Sequence, residues 1–389
     1  MKLAVVSHKV CWPAAGSPSG YATDGGFPLQ IQAISELFDE TIVVVPCHDT
    51  ENAGGVSHLN GRNLKVSPLP VPGGTGFVRK LFFPFWLLRS GWKIFRQVWS
   101  ADAVHAPIPG DVGTIGMLFA LILRKPLFVR HCGNWLMPRT AAEHFWKWSM
   151  ETFAGGRNVM LATGGASNAP SAKNPHIKWI FSTSLREQDL AVAVPRELPA
   201  DGGLRLIIAC RQEEGKGTET VIKSLPSILQ KFPDATLDVV GDGSFMIELK
   251  ELVERLELQE KVSFYGKVEQ KQVVALMRQA HVFCFPTRAS EGFPKVVLEA
   301  LASGLPTITT KVSVLPKLIR EGGGVLLDEP TASALADAVI RICSDPQLYK
   351  EMSASAVANA QQYSLESWRD FIGETLRESW RVSRLSSAV

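Results

Sequence analysis

Closely spaced cysteine pairs are missing from this chain. The six cysteines, at 11, 47, 132, 210, 284 and 343, are scattered with no C-x-x-C among them, which removes a zinc site of that type and a dense disulfide framework. A reducing compartment is therefore expected. Long apolar runs are also missing: the longest, VGTIGMLFALIL, falls short of the ~20 residues a spanning helix needs, and the run in MKLAVVSHKV is too short for a signal peptide. Together these point to a cytoplasmic protein. There is no low-complexity tract, no short-period repeat, no G-x-x-x-x-G-K-[ST] loop and no D-x-D pair. Acidic residues vanish between 61 and 101, a stretch with seven Lys and Arg.

What is present is ordinary globular material: 46% hydrophobic and 20% charged residues, with 24 prolines and 32 glycines. At 389 residues the chain exceeds the roughly 250–300 at which a single core stops growing, so two domains are expected. From Leu204 onward LRLIIAC, ATLDVVG, KVSFYG, HVFCFPT, LPTITT and GGVLLD alternate with helical patterns. Such unbroken apolar strands are buried on both faces, which means a parallel sheet in a βα repeat. KLAVVS, TIVVVP, ADAVHA, PLFVRH and NVMLAT repeat the theme in the first half. The Pro- and Gly-rich VAVPRELPADGGL (192–204) marks the boundary, and SLESWRDFIGETLRESWRVSR reads as a terminal helix. The division is thus 1–191, 192–363 and a helix within 364–389.

Ligands of open parallel sheets bind beyond the carboxyl ends of the strands, so two such domains make the cleft between them the default site. The loops of interest are 7–27, 131–135, 211–217, 241–244 and 286–293. In EGFPKVVLEALASGLP, Gly292 allows a tight bend and Pro294 suits a first helical turn, so a helix should begin near Phe293, its free N–H groups favouring phosphate. Glu291 stands at that mouth. Glu299 lies about 12 Å further along, at 1.5 Å per residue, among apolar neighbours. A carboxylate there needs donors. Sugar hydroxyls would supply them; a structural salt bridge or cap would do so equally. In CRQEEGKGTET, Arg211 and Lys216 can neutralise a diphosphate, or Arg211 can pair with Glu213 or Glu214 and leave Lys216 solvated. The glycines of VVGDGS (Gly241, Gly243) and YATDGGF (Gly25, Gly26) suit close approach of backbone to ligand.

The set R211-x4-K216-G217, VVGDG, VSFYG and E291-G-F-P-x4-E299 followed by ALASGLP resembles family 4 of the glycosyltransferases, over residues 204–362. The resemblance implies the α/β GT-B fold, with two doubly wound Rossmann-like domains. It implies a metal-independent retaining enzyme with no cofactor, the N-terminal domain binding the acceptor and the C-terminal domain the nucleotide-diphosphate sugar. It gives Glu291 the donor sugar's hydroxyls, Glu299 the ribose, Arg211 and Lys216 the leaving diphosphate, and Gly292, Phe293, Pro294 and Lys295 further donor contacts. His131 in RHCGNW would orient sugar and phosphate, although Cys132 interrupts the family's His-Gly; His105 competes for that place. His281 stands where the family has Asp. The leaving phosphate would itself take the acceptor's proton.

The acceptor is a glycan, a lipid-linked molecule or a small molecule. Between 77 and 99, Phe82, Phe83, Phe85, Trp86, Trp92, Phe95 and Trp99 interleave with basic residues. Two readings fit: a helix on an anionic membrane, peripheral on its inner face, or an ordinary helix packing its aromatics on the first sheet. Nucleic acid is not an expected partner, since the net charge is only +3 with no recognition motif. Rival functions are a sugar-nucleotide epimerase of the same fold and a non-catalytic sugar-nucleotide-binding protein.

Overall fold

Unbroken apolar runs become parallel strands covered on both faces. A computed structural model describes residues 1–51, 57–74, 76–138, 140–165, 168–199, 203–289, 292–319 and 322–381. The chain divides into two units, Met1–Ser184 with Leu365–Val389, and Leu185–Ser364.

In chain order the first unit contains β1 (Lys2–Val6), β2 (Trp12–Pro13), β3 (Tyr21–Thr23), α1 (Phe27–Ser35), β4 (Glu40–Cys47), β5 (Ser57–His58), β6 (Leu64–Pro70), α2 (Gly76–Ser100), β7 (Ala103–Ile108), α3 (Asp111–Ile122), β8 (Leu127–His131), α4 (Ala141–Phe153), β9 (Asn158–Thr163) and β10 (Ile177–Ile180). Seven strands form a parallel sheet in the order β10-β9-β8-β7-β1-β4-β6, and β2, β3 and β5 make a small antiparallel sheet. On one face, Ile31 and Ile34 of α1 pack on Leu3, Val5 and Val43. On the other, Ile94 and Val98 of α2, Val112 and Ile115 of α3 and Met150 of α4 pack on Val6, Val44 and Val104. The α4 helix opens with a capping box: Glu143 N–H donates to Thr140 Oγ1 (3.2 Å), and Thr140 N–H donates to the Glu143 carboxylate (2.9 Å).

The second unit contains α5 (Glu187–Ala191), β11 (Arg205–Ala209), α6 (Thr218–Lys231), β12 (Thr236–Val240), α7 (Met246–Arg255), β13 (Val262–Gly266), α8 (Gln270–Gln279), β14 (Val282–Phe285), α9 (Lys295–Ala302), β15 (Thr307–Thr310), α10 (Leu315–Leu318), β16 (Gly324–Leu327), α11 (Ala332–Cys343) and α12 (Pro346–Gln361). Its sheet is parallel, ordered β13-β12-β11-β14-β15-β16. One core lies against α6, α7 and α11, another against α8, α9 and α12. The divide falls between Ser184 and Leu185, ahead of the expected 191/192, because Leu185 and Leu190 are buried with Ile207, Phe283 and Leu298 in the second unit's core. The last helix, α13 (Leu365–Trp380), belongs to the first unit, where Trp368, Ile372 and Leu376 are fully buried against its sheet.

Candidate functional site

Strands β12, β11 and β14 lie side by side and parallel, so the loops 210–217, 241–245 and 286–294 leave one edge of the second sheet. Gln212 ties the first two together. It is fully buried; its amide nitrogen donates to Cys210 O (3.2 Å) and Val240 O (3.0 Å), and its amide oxygen accepts from Thr218 Oγ1 (2.6 Å). Its backbone N–H donates to Asp242 O (3.1 Å) and its carbonyl accepts from Phe245 N (2.9 Å). The third loop is tied to the first at Gly215, whose carbonyl accepts from Arg288 N (2.8 Å), Ala289 N (3.2 Å) and Thr287 Oγ1 (3.3 Å).

That packing explains the glycines. Gly217 begins α6 at φ +97°, and a Cβ there would stand 2.6 Å from Pro286 O. A Cβ on Gly241 (φ +108°) would run into the Cys210 carbonyl, and one on Gly243 into that of Gln212. Sequence reasoning reserves Gly241 and Gly243 for approach to a ligand. The atoms that crowd them belong to the neighbouring loop, so their first duty is loop against loop.

Arg211 is exposed and forms no ion pair with another described residue. Of its two expected acidic partners, Glu213 accepts the Ser244 hydroxyl (2.8 Å) and Glu214 is exposed. Lys216 is half-buried, next to the Gly215 carbonyl that anchors the β14 loop. Helix α9 starts at Lys295, two residues later than expected, because Pro294 adopts an extended conformation (φ −78°, ψ 95°) and serves as N-cap. Pro294 has no side-chain group to cap it. Gly292 and Phe293 precede it, the Phe293 ring lying 6.0 Å from that of Tyr363. Glu291 lies outside the described residues.

The α9 helix is buried all round from Val297 to Leu301, as its composition predicts. Glu299 is 8% exposed, and its carboxylate accepts from the Gln270 side chain at the start of α8 (2.7 Å). A buried carboxylate thus receives a protein donor. Among the described residues no group of three or more His, Cys, Asp or Glu side chains could hold a metal ion.

In the first unit Gly25 and Gly26 lead into α1, with Gly26 its N-cap and no side-chain cap present. His131 ends β8 at the sheet's carboxyl edge. It is 2% exposed, burial pushes its imidazole down to about 4, and Nδ1 has no hydrogen-bond partner among the described residues. The Trp135 ring meets its edge at 5.4 Å. His105 lies inside β7, stacked on Phe128 at 4.2 Å with Nδ1 3.0 Å from Phe128 O; burial lowers it to about 3. Of the two histidines, His131 stands at a strand end and His105 within the sheet. His281, for which the sequence offers no chemistry, accepts Arg205 N–H through Nδ1 (2.9 Å) and so helps begin β11.

The second unit therefore brings Arg211, Lys216, Gly241, Gly243 and residues 292–295 to one set of strand ends, with Glu299 further along α9. Gly25, Gly26 and His131 belong to the other unit. Gln212, Thr287 and Gln270 go unnoticed in the sequence. Each is a single polar residue whose partners are mostly carbonyls or distant side chains, a relation that no spacing advertises.

Residues 195–360 match the model of the glycosyl transferases group 1 family. The chain is 27% identical over 167 residues to a subunit of the human phosphatidylinositol N-acetylglucosaminyltransferase, covering 43% of this chain and 34% of that one. It is 29% identical over 170 residues to the phosphatidyl-myo-inositol mannosyltransferase of Mycobacterium tuberculosis, covering 42% and 44%. The chain thus spans less than half the length of these curated relatives. Among solved structures, the Anabaena protein HepE in complex with UDP superposes with a TM-score of 0.70 at 18% identity, over 97% of this chain and 100% of that one. Sucrose-phosphate synthase of Thermosynechococcus elongatus gives 0.70 at 17% identity, over 98% and 99%. These likenesses carry the fold: two Rossmann-like units of GT-B type.

Proposed function

We propose, from a GT-B chain whose residues 195–360 match the group 1 glycosyl transferases, that this protein transfers a sugar from a nucleotide-diphosphate sugar to an acceptor hydroxyl. One observation carries the reading. Three loops at adjacent strand ends, locked by Gln212 and the Gly215 carbonyl, bring together Arg211, Lys216 and the N-terminal end of α9.

The chemistry follows from charge. As the bond between the anomeric carbon and the diphosphate oxygen breaks, negative charge grows on the diphosphate and positive charge on the sugar. Cations and helix N–H groups fixed toward the leaving group favour that state over the bound substrate. The acceptor oxygen then bonds to the anomeric carbon, and its proton passes to the departing phosphate. In this reading configuration is retained and no metal is needed, since Arg211 and Lys216 do a divalent cation's work. Glu291 holds the donor sugar and Glu299 the ribose, displacing Gln270 as its donor. His131, neutral at physiological pH, orients sugar and phosphate through a hydrogen bond rather than a charge. Gly25 and Gly26 leave the first turn of α1 open to the donor.

The relatives' names, which join sugars to phosphatidylinositol, support a hydroxyl of a lipid headgroup as acceptor. Such an acceptor is met at an anionic membrane surface, with the protein peripheral on the cytoplasmic side; no described helix is long and apolar enough to cross a membrane. The test is acceptor-dependent release of UDP or GDP from UDP-N-acetylglucosamine and GDP-mannose, with phosphatidylinositol supplied in detergent. Turnover should persist in EDTA, keep the anomeric configuration by NMR, and fall about 100- to 1,000-fold in Lys216→Ala. Activity that disappears in EDTA and returns with manganese ions, or an unimpaired Lys216→Ala, refutes the assignment. Interconversion of sugar nucleotides without acceptor would favour an epimerase, and donor binding without turnover a binding protein.

A further inference from the structure

Exposed large apolar side chains concentrate on one layer of the first unit. Five lie on α2, two on α3 and three on α4, with two more in the turn before α4 and three elsewhere among the described residues. These helices share the sheet face built around Val6, Val44 and Val104, so their exposed sides point away from the sheet. They are joined to one another: Arg79 of α2 donates to Asp111 of α3 (2.6 Å), Phe95 meets Phe119 edge-on at 5.6 Å, and Trp146 of α4 donates to Thr114 of α3 (2.7 Å).

Helix α2 has two sides of different character. Trp86, Ile94 and Val98 face the sheet. Outward, Phe85, Leu88 (81% exposed), Trp92 (66%) and Trp99 recur at spacings of three, four and seven, and Arg89, Lys93 and Arg96 form an exposed stripe beside them. Ile122 of α3 (73% exposed) and Trp148 of α4 (55%) extend the apolar surface beyond α2. The 77–99 aromatics therefore divide: one set packs on the sheet, and the other is left outside.

We infer that the outer face of α2, α3 and α4 docks flat on an anionic lipid bilayer, with its indole and phenyl rings at the headgroup boundary and Arg89, Lys93 and Arg96 on lipid phosphates. This deepens the reading above, on which it rests for its purpose, by naming the surface through which a lipid-borne acceptor is reached. Charge selects the occupant. Helix α2 carries five basic residues and no acid, so a two-fold dimer through this face would set like charges against like. A bilayer with acidic headgroups meets both the rings and the cations.

Flotation with vesicles of phosphatidylcholine alone, and of phosphatidylcholine and phosphatidylglycerol in equal parts, tests the docking on the full chain. Binding is expected to the acidic vesicles at low salt. It should weaken about tenfold or more in the Arg89→Glu, Lys93→Glu, Arg96→Glu variant and in Leu88→Ser, Trp92→Ser, and decline for the wild type in high salt. All five positions are exposed, so circular dichroism should report a normal fold. Equal flotation with both vesicle types, or variants that bind like wild type, overturns the inference. So does a dimer in sedimentation velocity that the Leu88→Ser, Trp92→Ser variant dissolves while wild-type protein ignores vesicles. Transfer to a detergent-dispersed acceptor, measured on the same preparations, separates the two ideas: turnover without vesicle binding removes only the docking face, and vesicle binding without turnover removes only the transfer.

Discussion

Gln212 does what neither of its neighbours can do. Arg211 and Lys216 can face a diphosphate only if the loop between them is stiff, and Gln212 stiffens it by bridging Cys210 O, Val240 O and the Thr218 hydroxyl from a fully buried position. Gln212→Ala strips those partners at once, so urea unfolding of the second unit should show a loss of about 2 kcal/mol or more. A change within about 0.5 kcal/mol would show that the loops hold each other without it. The histidines make a second prediction at this scale. Burial holds His131 near 4 and His105 near 3, against an ordinary 6.5. Between pH 6.5 and 4 the unfolded chain takes up protons that the folded chain refuses, so stability falls as pH falls. Each histidine contributes up to about 1.4 kcal/mol per pH unit in that window, and nothing above it. Urea unfolding at pH 7 and pH 4.5 should show the drop, and His131→Gln should reduce it; an unchanged slope would mean that His131 is not buried in the neutral form.

Among elements, the sequence announces every central strand of the two large sheets and, in the second, the edges β13 and β16 as well. The runs in β1, β4, β7, β11 and β14 are mostly apolar because helices cover both faces, their polar residues standing at the strand starts except for the buried His105 of β7, and each lies where its composition puts it. The strands of the large sheets that it does not announce are the two edges of the first. Strand β6 carries Pro68 and Pro70, and β10 is four residues long with Lys178 exposed; both are tolerated because an edge strand leaves one row of backbone groups unpaired. The α9 helix is legible in its burial but not in its start, because proline is compatible with an N-cap as well as a first turn. Helix α13 shows how a distant segment completes a core. Trp368 is fully buried beneath the Arg130 guanidinium, 4.9 Å from its ring, and Arg369 pairs with Glu36. Trp368→Ala should cost the first unit about 3–5 kcal/mol and leave nucleotide binding by the second unit intact. Denaturation followed by a nucleotide titration checks both halves of that statement, and a cost below about 1 kcal/mol would show that α13 is not integral to the first unit.

At the scale of the whole molecule, composition and strand pattern announce two α/β units, and the motif cluster of 204–362 is what assigns the proposed nucleotide site to the second of them. What they do not announce is the outer surface. Aromatic residues on α2 look alike in sequence whether they face sheet or solvent, and only folding sorts Trp86 from Trp92. The acceptor is equally illegible, because side chains that choose it answer to no general spacing. The proposed transfer requires the second unit to hold a nucleoside diphosphate, and calorimetric titration of wild type and Lys216→Ala with UDP, GDP and ADP tests that hold most directly. One of the three should bind the wild type at one site per chain and bind Lys216→Ala at least about tenfold more weakly. Absence of binding for all three at millimolar concentration, or equal affinity in the variant, would contradict the account.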